Sequence, residues 1–341
     1  MNSTHSLLTA AVFVAVAYAS SAALPEGNNG LARKYRGDKG IEEDPKVVFV
    51  EKYDEDSIEK LANRYDSVKG KECMSFSNNG VRGSAENQCL LMTHTGGQGT
   101  GGHLYNRLAG RNRGYGRDKV FARFYVKFDE DCAQIHHFGT TLGGMNPPVR
   151  WPNAGAGVRP ERDKRFWIGV EPYAGRWVWD YYAYWHEMGG SPPKGKTWGN
   201  SFIRDPDLKV ARGKWICVEL MVKMNDVGDT NGELACWIDG KLVSHLGKGF
   251  PKGKWTFDKF EPGAGGDSVL WDDEKGGPVH STVPAGGAPF EGFRWRTSEN
   301  LNVNNVWTYV FITKAPKGHE SKVWFDNLVV AEEYVGPMNS L

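Results

Sequence analysis

Two short segments of this 341-residue chain carry the side chains best suited to moving protons. Residues 134–138 read Gln-Ile-His-His-Phe, and residues 179–187 contain Tyr182, Tyr184 and His186 among aromatic neighbours. Histidine and tyrosine serve as general acids and bases, and a glutamine amide can hydrogen-bond a carboxylate. The candidate catalytic residues are Gln134, His136, His137, Tyr182 and Tyr184.

A strand would present only one of the two adjacent histidines to a groove, because successive side chains face opposite sides of a sheet. If Ile135 points into the core, His137 does so too, and Gln134 with His136 face the groove. A β-bulge would reverse this assignment. The alternative is that both histidines are structural and hydrogen-bonded.

The second segment places Tyr182, Tyr184 and His186 two residues apart, on one face of a strand. The residues between them are aromatic as well, so the pattern does not show which face is inside. The alternative is a tryptophan-rich core strand with polar tips at its rim.

Arginines alternate with aromatic residues along several predicted strands. A guanidinium group matches a carboxylate with two hydrogen bonds, so these positions favour an anionic ligand modestly over the alternative of simple solubility. Arg294 and Arg296 would share one face of a strand over 293–297. The predicted substrate-binding residues are Arg123, Arg165, Trp167, His186, Arg204, Arg294 and Arg296.

Period-two alternation dominates the chain and predicts strands, whereas only Ser57–Arg64 reads as a helix. A turn at Asp239-Gly240 divides the run from residue 234 to residue 245. The sequence therefore predicts an all-β fold, a two-sheet antiparallel β-sandwich of the jelly-roll type with few short helices. The predicted strands are 46–50, 120–128, 134–138, 165–171, 176–186, 215–224, 234–245, 293–297, 307–313 and 323–330.

The amino-terminal region differs in composition from the rest. An apolar run followed by small residues predicts a signal peptide over residues 1–23, and the polar, glycine-rich residues 24–45 predict a disordered linker. Residues 46–338 would then form one domain, secreted or periplasmic and monomeric. The net charge of +1 provides no global field for nucleic acid or a membrane.

The five cysteines allow up to two disulfides in an oxidising compartment. Cys73 with Cys89 and Cys217 with Cys236 are the possible pairs, and buried free thiols are an equal alternative. Their spacing does not suggest zinc.

Residues 213–225, 231–233 and 237–243 resemble the central hairpin of concanavalin-like jelly rolls. In particular they resemble secreted polysaccharide lyases that act on glucuronan and alginate. The chain's ending, Val-Trp-Phe-Asp-Asn-Leu-Val-Val at 323–330 and Tyr-Val-Gly-Pro at 334–337, is similar to the last strand of that group. The resemblance covers residues 47–337.

This resemblance implies β-elimination from a uronic-acid polysaccharide. A positive or hydrogen-bonding group neutralises the sugar carboxylate, a base removes the C5 proton, and an acid protonates the leaving oxygen. His and Tyr would serve as base and acid, with Arg and Gln at the carboxylate. No cofactor would be required. A structural calcium is conceivable at Asp326 or in the polar loop 226–233, for which an exposed turn is the alternative.

Two other functions fit the same fold. A glycoside hydrolase needs two carboxylates across the scissile bond, and the chain lacks the E-x-D-x-x-E pattern of retaining enzymes on such jelly rolls; Glu171, Asp180 and Glu187 are its best isolated acids. A non-catalytic carbohydrate-binding protein is the third possibility, since fold does not fix function.

Overall fold

The computed structural model describes residues 23–82, 87–110, 114–151, 155–192 and 196–339. The predicted signal peptide lies outside these residues, apart from Ala23. Within the described part of the chain, no helix is long and apolar enough to cross a membrane.

Strands account for most of the regular structure. One α-helix, α1, spans Ile58–Ala62, and the side chain of Ser57 caps its amino end. The 3₁₀-helices of the described residues span Leu31–Lys34, Arg36–Asp38, Ile41–Glu43, Lys71–Cys73 and Tyr173–Gly175. The strands are β1 Val47–Glu51, β2 Ser67–Lys69, β3 Met74–Ser77, β4 Cys89–Thr95, β5 His103–Arg107, β6 Ala109–Gly110, β7 Gly114–Tyr115, β8 Lys119–Phe128, β9 His137–Met145, β10 Arg165–Pro172, β11 Trp179–Tyr184, β12 Ile216–Lys223, β13 Glu233–Ile238, β14 Lys241–Leu246, β15 Lys252–Thr256, β16 Lys259–Pro262, β17 Gly266–Asp272, β18 Gly277–Val283, β19 Ala288–Pro289, β20 Asn305–Phe311 and β21 Glu320–Ala331.

Two antiparallel sheets form a sandwich, which confirms the predicted fold class. The larger sheet has the order β14-β13-β12-β8-β21-β4-β3, with β1 paired to β21, and the smaller has the order β11-β10-β9-β20-β5-β2. Their inner faces meet through rings such as Phe128 and Phe138, whose centroids are 5.0 Å apart. Because strand side chains alternate, burying one face of the smaller sheet leaves the other face open.

Residues 24–45 are ordered, so the prediction of a disordered linker is wrong. Leu31 and Ile41 are buried and pack with Val329 on the outer face of the larger sheet. Arg123, on β8, is fully buried there and forms an ion pair with Asp38 of this amino-terminal segment. The apolar residues of this segment are spaced among charged ones without the period of a helix or a strand, so the sequence pattern did not indicate that the segment packs on the sheet.

Two further regions differ from the sequence-based strands. Residues 293–297 form no strand, and only Phe293 makes an isolated bridge, to Gly232. The glycine-rich stretch 252–289 forms a third sheet that the sequence did not predict, with the order β16-β15-β17-β18 and β19 paired to β15.

The Arg123–Asp38 pair should be a strong determinant of stability. Asp38→Ala leaves the Arg123 guanidinium buried without its acid, so the free energy of unfolding should fall by about 3–5 kcal/mol. The double variant Asp38→Leu/Arg123→Met removes both charges and should recover most of the loss. Urea unfolding measures both variants.

The matched control is Asp56→Ala, which breaks an exposed pair with Lys60 and should have no resolvable effect. An Asp38→Ala variant as stable as the wild type would contradict the importance of the amino-terminal segment.

Candidate functional site

The open face of the smaller sheet carries a cleft of about 250 Å³. Strands β5, β9, β10, β11 and β20 contribute most of its lining, and the loops near residues 100 and 156 contribute one residue each. The lining is mostly aromatic, a chemistry suited to stacking against sugar rings. The residues are Thr100, His103, His137, Ala156, Trp167, Tyr182, Tyr184, Trp307, Tyr309 and Phe311.

His137 is oriented by a buried acid. Its Nδ1 lies 3.2 Å from Glu171 Oε1, and Glu171 also accepts a hydrogen bond from the backbone N–H of Phe138. Burial raises the pKa of Glu171, and the His137 contact opposes that shift. When Glu171 is ionised its carboxylate only accepts hydrogen bonds, so Nδ1 of His137 then carries the proton and Nε2 keeps a lone pair. A histidine held in this tautomer can act as a base.

Two tyrosines lie beside this histidine. The rings of His137 and Tyr182 are 4.5 Å apart, and the hydroxyls of Tyr182 and Tyr184 are 3.0 Å apart. Burial raises the pKa of Tyr182, and the neighbouring Tyr184 raises it further. Tyr182 therefore stays protonated near neutral pH and can donate a proton or a hydrogen bond.

Two glycines on neighbouring strands of the smaller sheet leave room for a threonine side chain. A Cβ on Gly169 would lie 2.9 Å from Cγ2 of Thr141, and a Cβ on Gly139 would lie 3.1 Å from the same methyl group. Gly139 and Gly169 belong to the adjacent strands β9 and β10. The missing side chains make room for the Thr141 methyl group.

The paired histidines do not follow simple alternation. The predicted strand over 134–138 forms only from His137, where β9 begins and pairs with β20 without a bulge. Ile135 therefore precedes the strand and is buried independently of the alternation that buries Phe138, so His137 reaches the open face. His136 is exposed, its Nδ1 lies 2.9 Å from Thr313 Oγ1, and its ring is 4.3 Å from that of His137. With Gln134 it lines a neighbouring pocket of about 220 Å³.

Of the predicted arginines, Arg165 lies near the cleft. It shares the open face of β10 with Trp167, its Nη2 donates to the Val158 carbonyl at 3.4 Å, and its Nε lacks a partner among the described residues. Burial lowers the pKa of Arg165, and Glu161 and Tyr184 oppose that shift. A partly desolvated guanidinium suits a carboxylate.

The other predicted binding residues lie elsewhere, which corrects their assignment. Arg123 is buried on the larger sheet, and Arg296 is buried and bonds the Asn225 carbonyl and Asp118. The Arg296 guanidinium is held by this chain's own oxygens. That of Arg123 bonds Asp38 through Nη2, and although its Nε and Nη1 have no partner among the described residues, it is fully buried and cannot reach a ligand in the cleft.

The remaining three predicted residues also lie outside the cleft. Arg294 pairs with Glu187 at 3.1 Å, and Arg204 lies 3.5 Å from Glu261 in a separate pocket of about 230 Å³. His186 is nearly buried, with its Nε2 3.6 Å from Glu187 Oε1. The strand assumed over 293–297 is what placed Arg294 at a groove, and that strand does not form.

The candidate calcium positions are satisfied by protein groups. Asp326 is fully buried and accepts hydrogen bonds from the backbone N–H groups of Val81 and Asn327. In the loop, Asn231 hydrogen-bonds Asp226. Among the residues that the structure describes, no group of three or more His, Cys, Asp or Glu side chains could hold a metal ion. All five cysteines are free thiols.

The structure adds residues that the sequence did not single out for the site. Phe311, Tyr309 and Trp307 lie along β20 on the open face, and their period-two spacing with a β-branched or aliphatic residue between them was the available signal. Glu171 appeared only as an isolated acid, because its pairing with His137 crosses from β10 to β9.

Comparison with known proteins supports the fold. A scan of protein-family models finds no match, and a search of curated proteins finds none. Among solved structures, alginate lyase Aly36B bound to an alginate tetrasaccharide is 13% identical with a TM-score of 0.50, over 92% of this chain and 100% of that one. Alginate lyase vAL-1 from a Chlorella virus gives 13% identity and 0.50, over 84% and 100%. The chain has the jelly-roll fold of these alginate lyases.

Close packing at Tyr182 can be tested through Gly199. A Cβ at this position would lie 2.5 Å from the Tyr182 ring, so Gly199→Ala must displace the tyrosine. The free energy of unfolding should fall by about 1–3 kcal/mol, and a crystal structure should show the Tyr182–Tyr184 hydrogen bond broken.

Gly277→Ala is the matched control, because a Cβ there would meet nothing within 4 Å and should leave stability unchanged. If Gly199→Ala leaves both stability and the position of Tyr182 unchanged, the loop at Gly199 does not hold that ring.

Proposed function

We propose that this protein is a secreted polysaccharide lyase that cleaves a uronic-acid-containing polysaccharide by β-elimination. The observation that carries the proposal is the His137–Glu171 pair, which lies beside Tyr182 in an aromatic cleft on the open sheet. The solved neighbour with alginate tetrasaccharide bound has the same fold, which supports an acidic glycan as substrate. Secretion rests on the amino-terminal sequence pattern.

The chemistry assigns one step to each group. Nε2 of His137 removes the C5 proton, and the electrons of the C5–H bond form the C4–C5 double bond as the C4–O bond breaks. Tyr182, which is protonated, gives its proton to the leaving oxygen. Glu171 stabilises the imidazolium that forms, because its carboxylate remains against Nδ1.

The carboxylate of the reacting sugar must be neutralised before C5 becomes acidic. Arg165 is the proposed partner, because its guanidinium is partly desolvated and it lies on the same face of β10 as Trp167, which lines the cleft. Gln134 and His136, in the adjoining pocket, would contact the part of the polysaccharide that extends beyond the cleft.

Hydrolysis is less well supported. None of the described residues that line the cleft is an acid, and the nearby Asp180 accepts hydrogen bonds from the backbone N–H groups of Phe202 and Ile203. A hydrolase needs one carboxylic acid and one carboxylate free to reach the scissile bond.

The activity is tested by incubating the protein with glucuronan, alginate and pectin and recording the ultraviolet absorbance of the unsaturated product. We expect absorbance to rise with at least one of them. New reducing ends without absorbance would indicate hydrolysis, and binding without either product would indicate a non-catalytic protein. Either result would overturn the proposal.

Substitutions then test the assigned roles. His137→Ala should lower kcat by roughly 10²–10⁴-fold, the contribution expected of a general base. Glu171→Gln should lower kcat to a smaller extent, because the amide can orient the ring but cannot balance its charge. His136→Ala is the matched control and should retain most turnover; a larger loss for His136→Ala than for His137→Ala would reverse the assignment.

A further inference from the structure

His103, at the β5 end of the cleft, is held in one tautomer by a tryptophan. Trp307 Nε1 lies 3.1 Å from His103 Nδ1. An indole nitrogen only donates hydrogen bonds, so Nδ1 of His103 must accept and the ring proton must be on Nε2. Nε2 of His103 thus donates a hydrogen bond, whereas Nε2 of His137 on β9 presents a lone pair.

The surroundings of His103 keep the ring in place and neutral. Its ring stacks on Tyr309 with an interplanar angle of 2°, and Trp151 meets it edge-on. Burial, and secondarily the charge of Lys69, lower the pKa of His103 to about 4. The imidazole of His103 therefore remains a neutral N–H donor at neutral and mildly acidic pH.

Lys69 is a second donor at the same place. Lys69 on β2 lies opposite His103 on β5 in the strand register. Its Nζ lies 3.7 Å above the centre of the Trp151 ring. The side chain is exposed, and no ion pair or hydrogen bond to its Nζ is found among the described residues. The nearby Asp66 is engaged with Arg107. A donor and a cation with no acceptor between them suit an anion.

We propose that His103 and Lys69 form a carboxylate-binding subsite for a uronic-acid residue, with Trp151 as its apolar wall. The inference rests on the proposed function. Two strand spacings, about 10 Å, separate β5 from β9. This subsite would therefore hold a neighbour of the sugar that loses its proton, and the protein would require two uronates within one bound stretch of chain.

The tautomer is tested first, without any ligand. Nitrogen NMR of the wild-type protein should show His103 protonated at Nε2 and bare at Nδ1. Trp307→Phe removes the indole donor and should give a mixture of tautomers. A wild-type His103 protonated at Nδ1 would overturn the proposal.

Binding is tested by calorimetry with an alginate tetrasaccharide and with its carboxyl-reduced counterpart, in a His137→Ala background that prevents turnover. His103→Asn and Lys69→Met should each weaken binding of the acidic ligand by about tenfold or more. Neither should change binding of the reduced ligand. His103→Gln, whose amide nitrogen replaces Nε2, and Lys69→Arg are the matched controls and should retain most affinity.

The outcomes separate this subsite from the proposed activity. Equal losses for both ligands, or no loss for either, would overturn the subsite even if the wild type is a lyase. A loss confined to the acidic ligand would support the subsite even if no unsaturated product forms. Because the Lys69 side chain is exposed, Lys69→Met gives this answer even if His103→Asn does not fold.

Discussion

The site depends on one buried charge. Glu171 is almost completely removed from water, and an ionised carboxylate in that position is costly unless hydrogen bonds compensate it. His137 Nδ1 and the N–H of Phe138 supply that compensation. The same contacts fix the orientation of the imidazole and its tautomer. The contacts that compensate the buried carboxylate of Glu171 are therefore the same contacts that orient His137 for proton transfer.

The cleft around this pair is built from the alternation of the smaller sheet. Phe138, Leu142 and Val310 point into the sandwich, and His137, Tyr309 and Phe311, which alternate with them along β9 and β20, line the cleft on the outer face. Loops then close one side: Asn200 exchanges backbone hydrogen bonds with Ala183, and Thr197 donates to Gly157.

The third sheet supports these loops. Ser201 forms a bridge with Lys259 on β16, and Arg159 pairs at 2.7 Å with Asp273 after β17. These contacts connect the wall of the cleft to a glycine-rich region that is distant in sequence. The sheet thereby shapes the side of the cleft formed near Ala156 and Gly199.

Much of the sandwich could be predicted because its strands are long and regularly alternating. The runs around β8, β10 and β12 have an unbroken period of two, and their observed bounds differ from the predicted ones by a residue or so. Alternation likewise grouped Arg165 with Trp167 and Tyr182 with Tyr184, and all of these except Arg165 line the cleft. The sequence could not decide which of His136 and His137 faces the cleft, because β9 begins only at His137 and the residues before it do not follow the strand alternation.

What the sequence could not provide depends on contacts between distant segments. Arg123 lies on a predicted strand and is a residue type that binds carboxylates, so the sequence placed it in a groove. Its partner, Asp38, is seen only in the folded amino-terminal segment. His103 follows a glycine-rich loop, and its role as a donor depends on Trp307, 204 positions away. Such pairings come from sheet order, which local alternation does not encode.

The central claim is that an acidic glycan binds across His137 and Tyr182 in a geometry that permits elimination. A crystal structure of the His137→Ala variant with a uronate tetrasaccharide tests this directly. The account predicts one sugar with C5 beside the vacated imidazole position and its glycosidic oxygen within hydrogen-bond reach of the Tyr182 hydroxyl. A tetrasaccharide bound away from this cleft, or lying in it with C5 turned to solvent, would contradict the account.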